Sequence, residues 1–97
     1  MNMTIEEILQ HDLKFRYMLL ARLRTDCKYY LSYGNRCPKC LWAGNEKEQI
    51  ETMTRIYESF QADEKPEWLT MEDIREYGRQ MLSAWFWKEF LGMVSSW

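Results

Sequence analysis

Residues 12–33, DLKFRYMLLARLRTDCKYYLSY, contain neither proline nor glycine. Within them Leu19, Leu20, Leu23, Cys27, Tyr30 and Leu31 recur at three- and four-residue spacing, the mark of a helix with one apolar face. Gly34-Asn35 predicts its end, since both residue types tolerate the left-handed backbone. Upstream, Thr4 with Glu7 reads as a capping box stapled by Met3 and Ile8, and His11-Asp12 offers a second cap. A short separate helix can therefore lead the chain. Downstream, Asn45 with Glu48 caps a second main helix striped by Ile50, Met53, Tyr57 and Phe60, with Ile56 alongside. After a polar connector at 62–67, Thr70 with Asp73, stapled by Leu69 to Ile74, opens a third. Its face is Ile74, Tyr77, Met81, Leu82 and Trp85. No period-two alternation competes. The prediction is an all-α domain over 1–97: a small bundle of three main helices with an irregular 34–44 loop.

The expected core comprises Leu19, Leu20, Leu23, Cys27, Leu31, Ile50, Met53, Tyr57, Phe60, Ile74, Met81 and Trp85. Trp42 and Trp68, from the two connectors, are expected to close its ends. The length of 97 residues leaves no room for a second core, and a 46% hydrophobic share excludes disorder as the default state. Thirteen basic against fifteen acidic residues give a net charge of −2, which argues against a generally basic nucleic-acid binder. The N-terminus shows neither the basic region nor the apolar core of a signal peptide. The longest apolar run, 81–94, is interrupted by Lys88 and Glu89 and is shorter than the roughly 20 residues that span a bilayer. No membrane association is expected. Three cysteines without an export signal read as reduced thiols of a cytoplasmic protein.

Charge is unevenly placed. Residues 14–39 hold Lys14, Arg16, Arg22, Arg24, Lys28, Arg36 and Lys39 against Asp26 alone, a balance of +6. Residues 46–76 hold four basic residues and ten acids, a balance of −6. Lys14, Arg24 and Lys28 fall roughly opposite the core stripe. With Tyr29, Tyr33, Arg36 and Lys39 they sketch a basic surface with stacking groups, the candidate for nucleic-acid contact. The simpler alternative is a solvated helix face partly paired with the acids of the next helix.

Catalytic signals are sparse: one histidine, His11, and no phosphate-binding loop or nucleophile motif. The acidic clusters stand at helix starts, where they favour the macrodipole. The chain is not expected to be an enzyme or to carry a cofactor. Cys37-Pro38-Lys39-Cys40 supplies only half of a zinc site. Cys27 lies on the core stripe and His11 is about four helical turns away from it, so Cys37 and Cys40 remain weak metal candidates and read best as loop thiols. A redox role is weaker still, because the C-x-x-C does not open a helix after a strand.

The tail, 84–97, places Trp85, Phe86, Trp87, Phe90, Leu91, Met93, Val94 and Trp97 around most of a helix. One face cannot bury them all. Either the tail folds back over the bundle, or it meets a partner, most simply a second copy of the chain.

Asp26-Cys27-Lys28-Tyr29-Tyr30-Leu31, Gly34-Asn35-Arg36, Leu41-Trp42-Ala43 and Pro66-Glu67-Trp68-Leu69-Thr70 together resemble the large polyvalent protein-associated domain of type 11, over about residues 11–82. That family's pattern does not call for cysteine at 37 and 40. The resemblance implies a phage or conjugative-element setting and brings no catalytic residues. It implies a non-enzymatic protein-binding accessory or inhibitor, for example one acting in counter-defence by blocking a host nuclease complex. The contact candidates are Asn35 and Arg36 of the loop and Trp85, Phe86, Trp87, Phe90 and Trp97 of the tail. The alternative is a nucleic-acid-binding module using the basic 14–39 segment.

Overall fold

The computed structural model describes residues 4–34 and 36–82, which are 68% helical and include no strand. Four α-helices follow one another: α1 (Ile5–Gln10), α2 (Leu13–Leu31), α3 (Glu46–Ser59) and α4 (Met71–Met81), with a single 3-10 turn at Pro38–Cys40 between α2 and α3. The predicted leading helix is therefore present, and each α-helix starts at its predicted cap. The Thr4 hydroxyl accepts from Glu7 N–H at 3.2 Å while the Glu7 carboxylate accepts from Thr4 N–H. Asp12 accepts from Phe15 N–H at 2.9 Å and Asn45 from Glu48 N–H at 2.9 Å. Thr70 and Asp73 repeat the reciprocal box at α4. Such caps contribute about 1 kcal/mol each by satisfying amides that the helix cannot.

Helix α3 is central and packs against α1, α2 and α4. Its C-terminal carbonyls are capped by two cations. Arg16 donates to the Ser59 hydroxyl at 2.8 Å and lies over the Phe60 ring, while Lys65 donates to the carbonyls of Phe60 and Tyr57 at 2.9 and 3.2 Å. Positive charge at that end also complements the helix dipole.

The core contains Leu19, Leu20, Leu23, Cys27, Ile50, Met53, Phe60, Ile74 and Met81, as the spacing predicts. Ile8, Tyr30, Leu41, Ile56, Leu69 and Leu82 join them, and Leu31, Tyr57 and Trp42 pack only partly buried at its edge. Three expectations need correction. Helix α4 ends at Met81, and Leu82, expected on its helical face, is extended at φ −97°, ψ 150°. That extension lets Met81 and Leu82, adjacent in sequence, both enter the core. Trp68 does not close the bundle: it is 40% exposed, with the Arg24 guanidinium over its ring. The third correction concerns the end of α2.

There, among the described residues, Arg36 is left-handed, at φ 56°, and Gly34 has another task. Its N–H donates to the Tyr29 carbonyl at 2.7 Å, and a Cβ at position 34 would stand 3.0 Å from both that oxygen and the Tyr29 ring. Glycine is needed for close approach. The core place expected for Trp85, like the whole tail and Asn35, lies outside the described residues.

Leu23, whose carbonyl is held by Gln49 of α3, is fully buried on α2. Truncating it leaves a cavity, so Leu23→Ala should cost about 2–5 kcal/mol. Urea unfolding checks this. A loss under about 0.5 kcal/mol, the range of surface substitutions, would show the stripe to be misplaced.

Candidate functional site

Because α2 turns Leu19, Leu20, Leu23, Cys27 and Tyr30 inward, the same periodicity turns Lys14, Met18, Arg22, Thr25, Lys28 and Tyr29 outward. All six are exposed. At a rise of 1.5 Å per residue the row from Lys14 to Tyr29 is about 22 Å long. Thr25 and, just beyond the helix, Ser32 spend their hydroxyls on the helix's own carbonyls, Ala21 at 3.0 Å and Lys28 at 2.7 Å. What faces solvent is therefore cationic and apolar. Met18 is 63% exposed, Tyr29 49% and Tyr33 84%, and the two tyrosine rings lie 6.5 Å apart.

The sequence-predicted basic residues divide into two groups. Lys14, Lys28 and Lys39 are exposed, as is Arg22. Arg24 is drawn aside over Trp68, and Arg16 is occupied at the end of α3. Arg36, though exposed, donates to the Gln80 carbonyl at 2.8 Å and lies over the Tyr30 ring, so it ties the loop to α4. Of the protein-contact candidates only Arg36 is described; Asn35, Trp85, Phe86, Trp87, Phe90 and Trp97 lie outside the described residues.

The loop is held against α2 by groups that spacing did not single out. Asp26 accepts from Trp42 N–H at 3.0 Å. Gln49, fully buried on α3, donates to the Leu23 carbonyl at 3.1 Å and accepts from Ala43 N–H at 3.0 Å. Position 49 precedes Ile50 and stands one turn before Met53, and a polar residue on that stripe was the available signal. The Tyr30 hydroxyl donates to Glu46 at 2.5 Å; burial, and then the Glu46 carboxylate, push its phenol up to about 12.

Cys37 and Cys40 share the 3-10 turn, whereas Cys27 is buried against Met53 and His11 stacks on Phe15 at 4.0 Å. Among the described residues no three of His, Cys, Asp and Glu gather as a metal set. An open cleft lined by Ile5, Glu48, Glu51, Thr52 and Arg55 lies between α1 and α3. No helix among the described residues is long and apolar enough to cross a membrane.

The family model described as large polyvalent protein-associated domain 11 matches residues 13–81, from the first residue of α2 to the last of α4. The chain belongs to that family. Helix α1 precedes the family's domain and packs against its α3, and the aromatic tail follows it. No curated protein and no solved structure matches the chain.

Tyr30 fixes a pH dependence. Its folded value, about 12, lies above the ordinary 10, so its contribution to stability is full below pH 10 and is lost as pH rises towards 12. Tyr30→Phe should weaken the fold near neutrality, by about 1 kcal/mol for the lost hydrogen bond. It should also make the alkaline fall in stability shallower than in the parent chain. Urea melts between pH 9 and pH 12 read both effects.

Proposed function

We propose that this member of the type 11 polyvalent-protein family is a non-enzymatic binding domain. It works in the cytoplasm for a phage or conjugative element and meets a protein partner through the outward face of α2. The observation that carries this reading is Met18, 63% exposed between Lys14 and Arg22 on a cationic row that ends at two exposed tyrosines. Protein interfaces are enriched in methionine, tyrosine and arginine, and a flexible thioether adapts to an apolar pocket on the other side. The lysines around it select an acidic rim and hasten encounter. Counter-defence is one use of such a domain. The cations on this face would keep it off the basic DNA groove of a host nuclease, so inhibition would act from elsewhere on the complex.

A second reading rests on Tyr29 and Tyr33, two exposed rings beside Lys28 whose outer faces offer a base a surface to stack on. The two readings part in salt and in nuclease. Pull-down from host lysate with the full chain should recover a protein partner after nuclease treatment, and Met18→Asp should reduce that recovery at least tenfold. Recovery abolished by nuclease, or affinity for bare DNA or RNA falling steeply with salt, would favour the nucleic-acid reading.

The tail carries a separate proposal, a symmetric dimer through 84–97, supported by eight large apolar residues in that stretch. Sedimentation velocity of the full chain and of a chain ending at Ser83 tests it. Dimerisation of the first and a folded monomer from the second are expected. A monomeric full chain, with stability lost on truncation, would make the tail part of the core.

A further inference from the structure

The Cys37–Cys40 pair is joined by a tight turn. Cys40 N–H donates to the Cys37 carbonyl at 3.0 Å and Leu41 N–H to the Pro38 carbonyl at 3.1 Å. A hydrogen-bonded i to i+3 turn brings its end Cα atoms within about 7 Å, the window a disulfide spans. Pro38 fixes φ at the second position, so the two cysteines are held near each other at little further entropic cost. The turn is pinned from both sides, by Cys37 N–H on the Gly34 carbonyl at 3.0 Å and by Trp42 N–H on Asp26 at 3.0 Å. Both cysteines are partly exposed, whereas Cys27 is fully buried with its sulfur 3.6 Å from that of Met53.

From this geometry we infer that Cys37 and Cys40 form a dithiol–disulfide site that exchanges with small-molecule disulfides, Cys37 attacking and Cys40 resolving. The division of labour follows from their surroundings. The Lys39 backbone N–H, the Cys40 thiol and the Lys39 ammonium favour the Cys37 thiolate and hold its thiol below the ordinary range. Desolvation, Cys37 and Asp26 push the Cys40 thiol up. Burial pushes Cys27 up to about 12, which leaves it inert.

In the first step the Cys37 thiolate bonds to one sulfur of R–S–S–R, the R–S–S–R bond breaks, and the departing thiolate takes a proton from water. In the second, Cys40 gives its proton to water and bonds to the Cys37 sulfur, expelling the other thiolate. Two protein thiols are oxidised by two electrons, and the small disulfide is reduced to two thiols. The absence of a preceding strand, which argued against redox chemistry in the sequence, matters less than the turn itself. This site is independent of the proposed partner contact.

The reduced full-length protein, mixed with oxidised glutathione and quenched by alkylation, tests the proposal by peptide mass mapping. A Cys37–Cys40 disulfide is expected, with Cys27 alkylated only after unfolding. Cys40→Ser should stop at glutathione bound to Cys37, and Cys37→Ser should react at least about tenfold more slowly than Cys40→Ser. Circular dichroism of each variant confirms that the fold is retained. Glutathione accumulating on the parent chain without ring closure, or Cys37→Ser reacting as fast as Cys40→Ser, would overturn the assignment.

Discussion

One buried amide holds the loop and the helices in register. Gln49 sits on α3 with no exposure, donates to the α2 carbonyl of Leu23 and accepts from the loop amide of Ala43. A buried donor or acceptor left without a partner costs about 1–3 kcal/mol, so the three segments are bound to one mutual position. With Ala43 fixed, Leu41 two residues earlier is delivered to the core, and the turn at Pro38–Cys40 is set against α2. Asp26 completes the arrangement by taking the Trp42 amide between them. A stretch of irregular chain thereby becomes as determined as a helix.

Cations do a second kind of structural work, and it reshapes the surface. The segment 14–39 is strongly positive in sequence, but Arg16 caps α3, Arg24 covers Trp68 and Arg36 reaches the end of α4. Guanidinium groups suit these tasks because their planar forks satisfy carbonyls and stack on rings. The lysines, by contrast, are left on the outside. The face available to a partner is therefore narrower than the charge count suggests, a single row along α2 with Met18 between Lys14 and Arg22.

The helices were legible because their signals are local. Thr4, Asp12, Asn45 and Thr70 each cap within three residues, and the apolar stripes of α2 and α3 repeat at helical spacing. What spacing could not show depends on contacts distant in the chain. Gln49 meets Leu23 across 26 positions, and Arg36 meets Gln80 across 44. Trp68, placed in a connector, is expected to close an end of the bundle, but an aromatic ring can be covered from outside by a guanidinium. Gly34 was read for its backbone freedom, whereas its value is a missing Cβ beside Tyr29. The outward row on α2 is half visible in the sequence: its lysines and tyrosines stand out by charge and ring, whereas a lone methionine such as Met18 carries no motif.

The two faces of α2 are under separate constraints, and that separation is what a binding domain requires. The inner residues are fixed by close packing, where the loss of one methylene is felt. Outer residues such as Lys14, Met18 and Lys28 are exposed to solvent, so their identity is open to selection for a partner. The cysteine turn shows the same division. Gly34, Asp26 and Gln49 determine where the turn lies, while the two sulfurs stay partly exposed at its surface. Rigid placement limits the conformations a partner or a small disulfide must wait for, and pre-organisation of that kind lowers the entropic cost of binding. A domain of this size can thus present two chemically distinct surfaces without loosening its core.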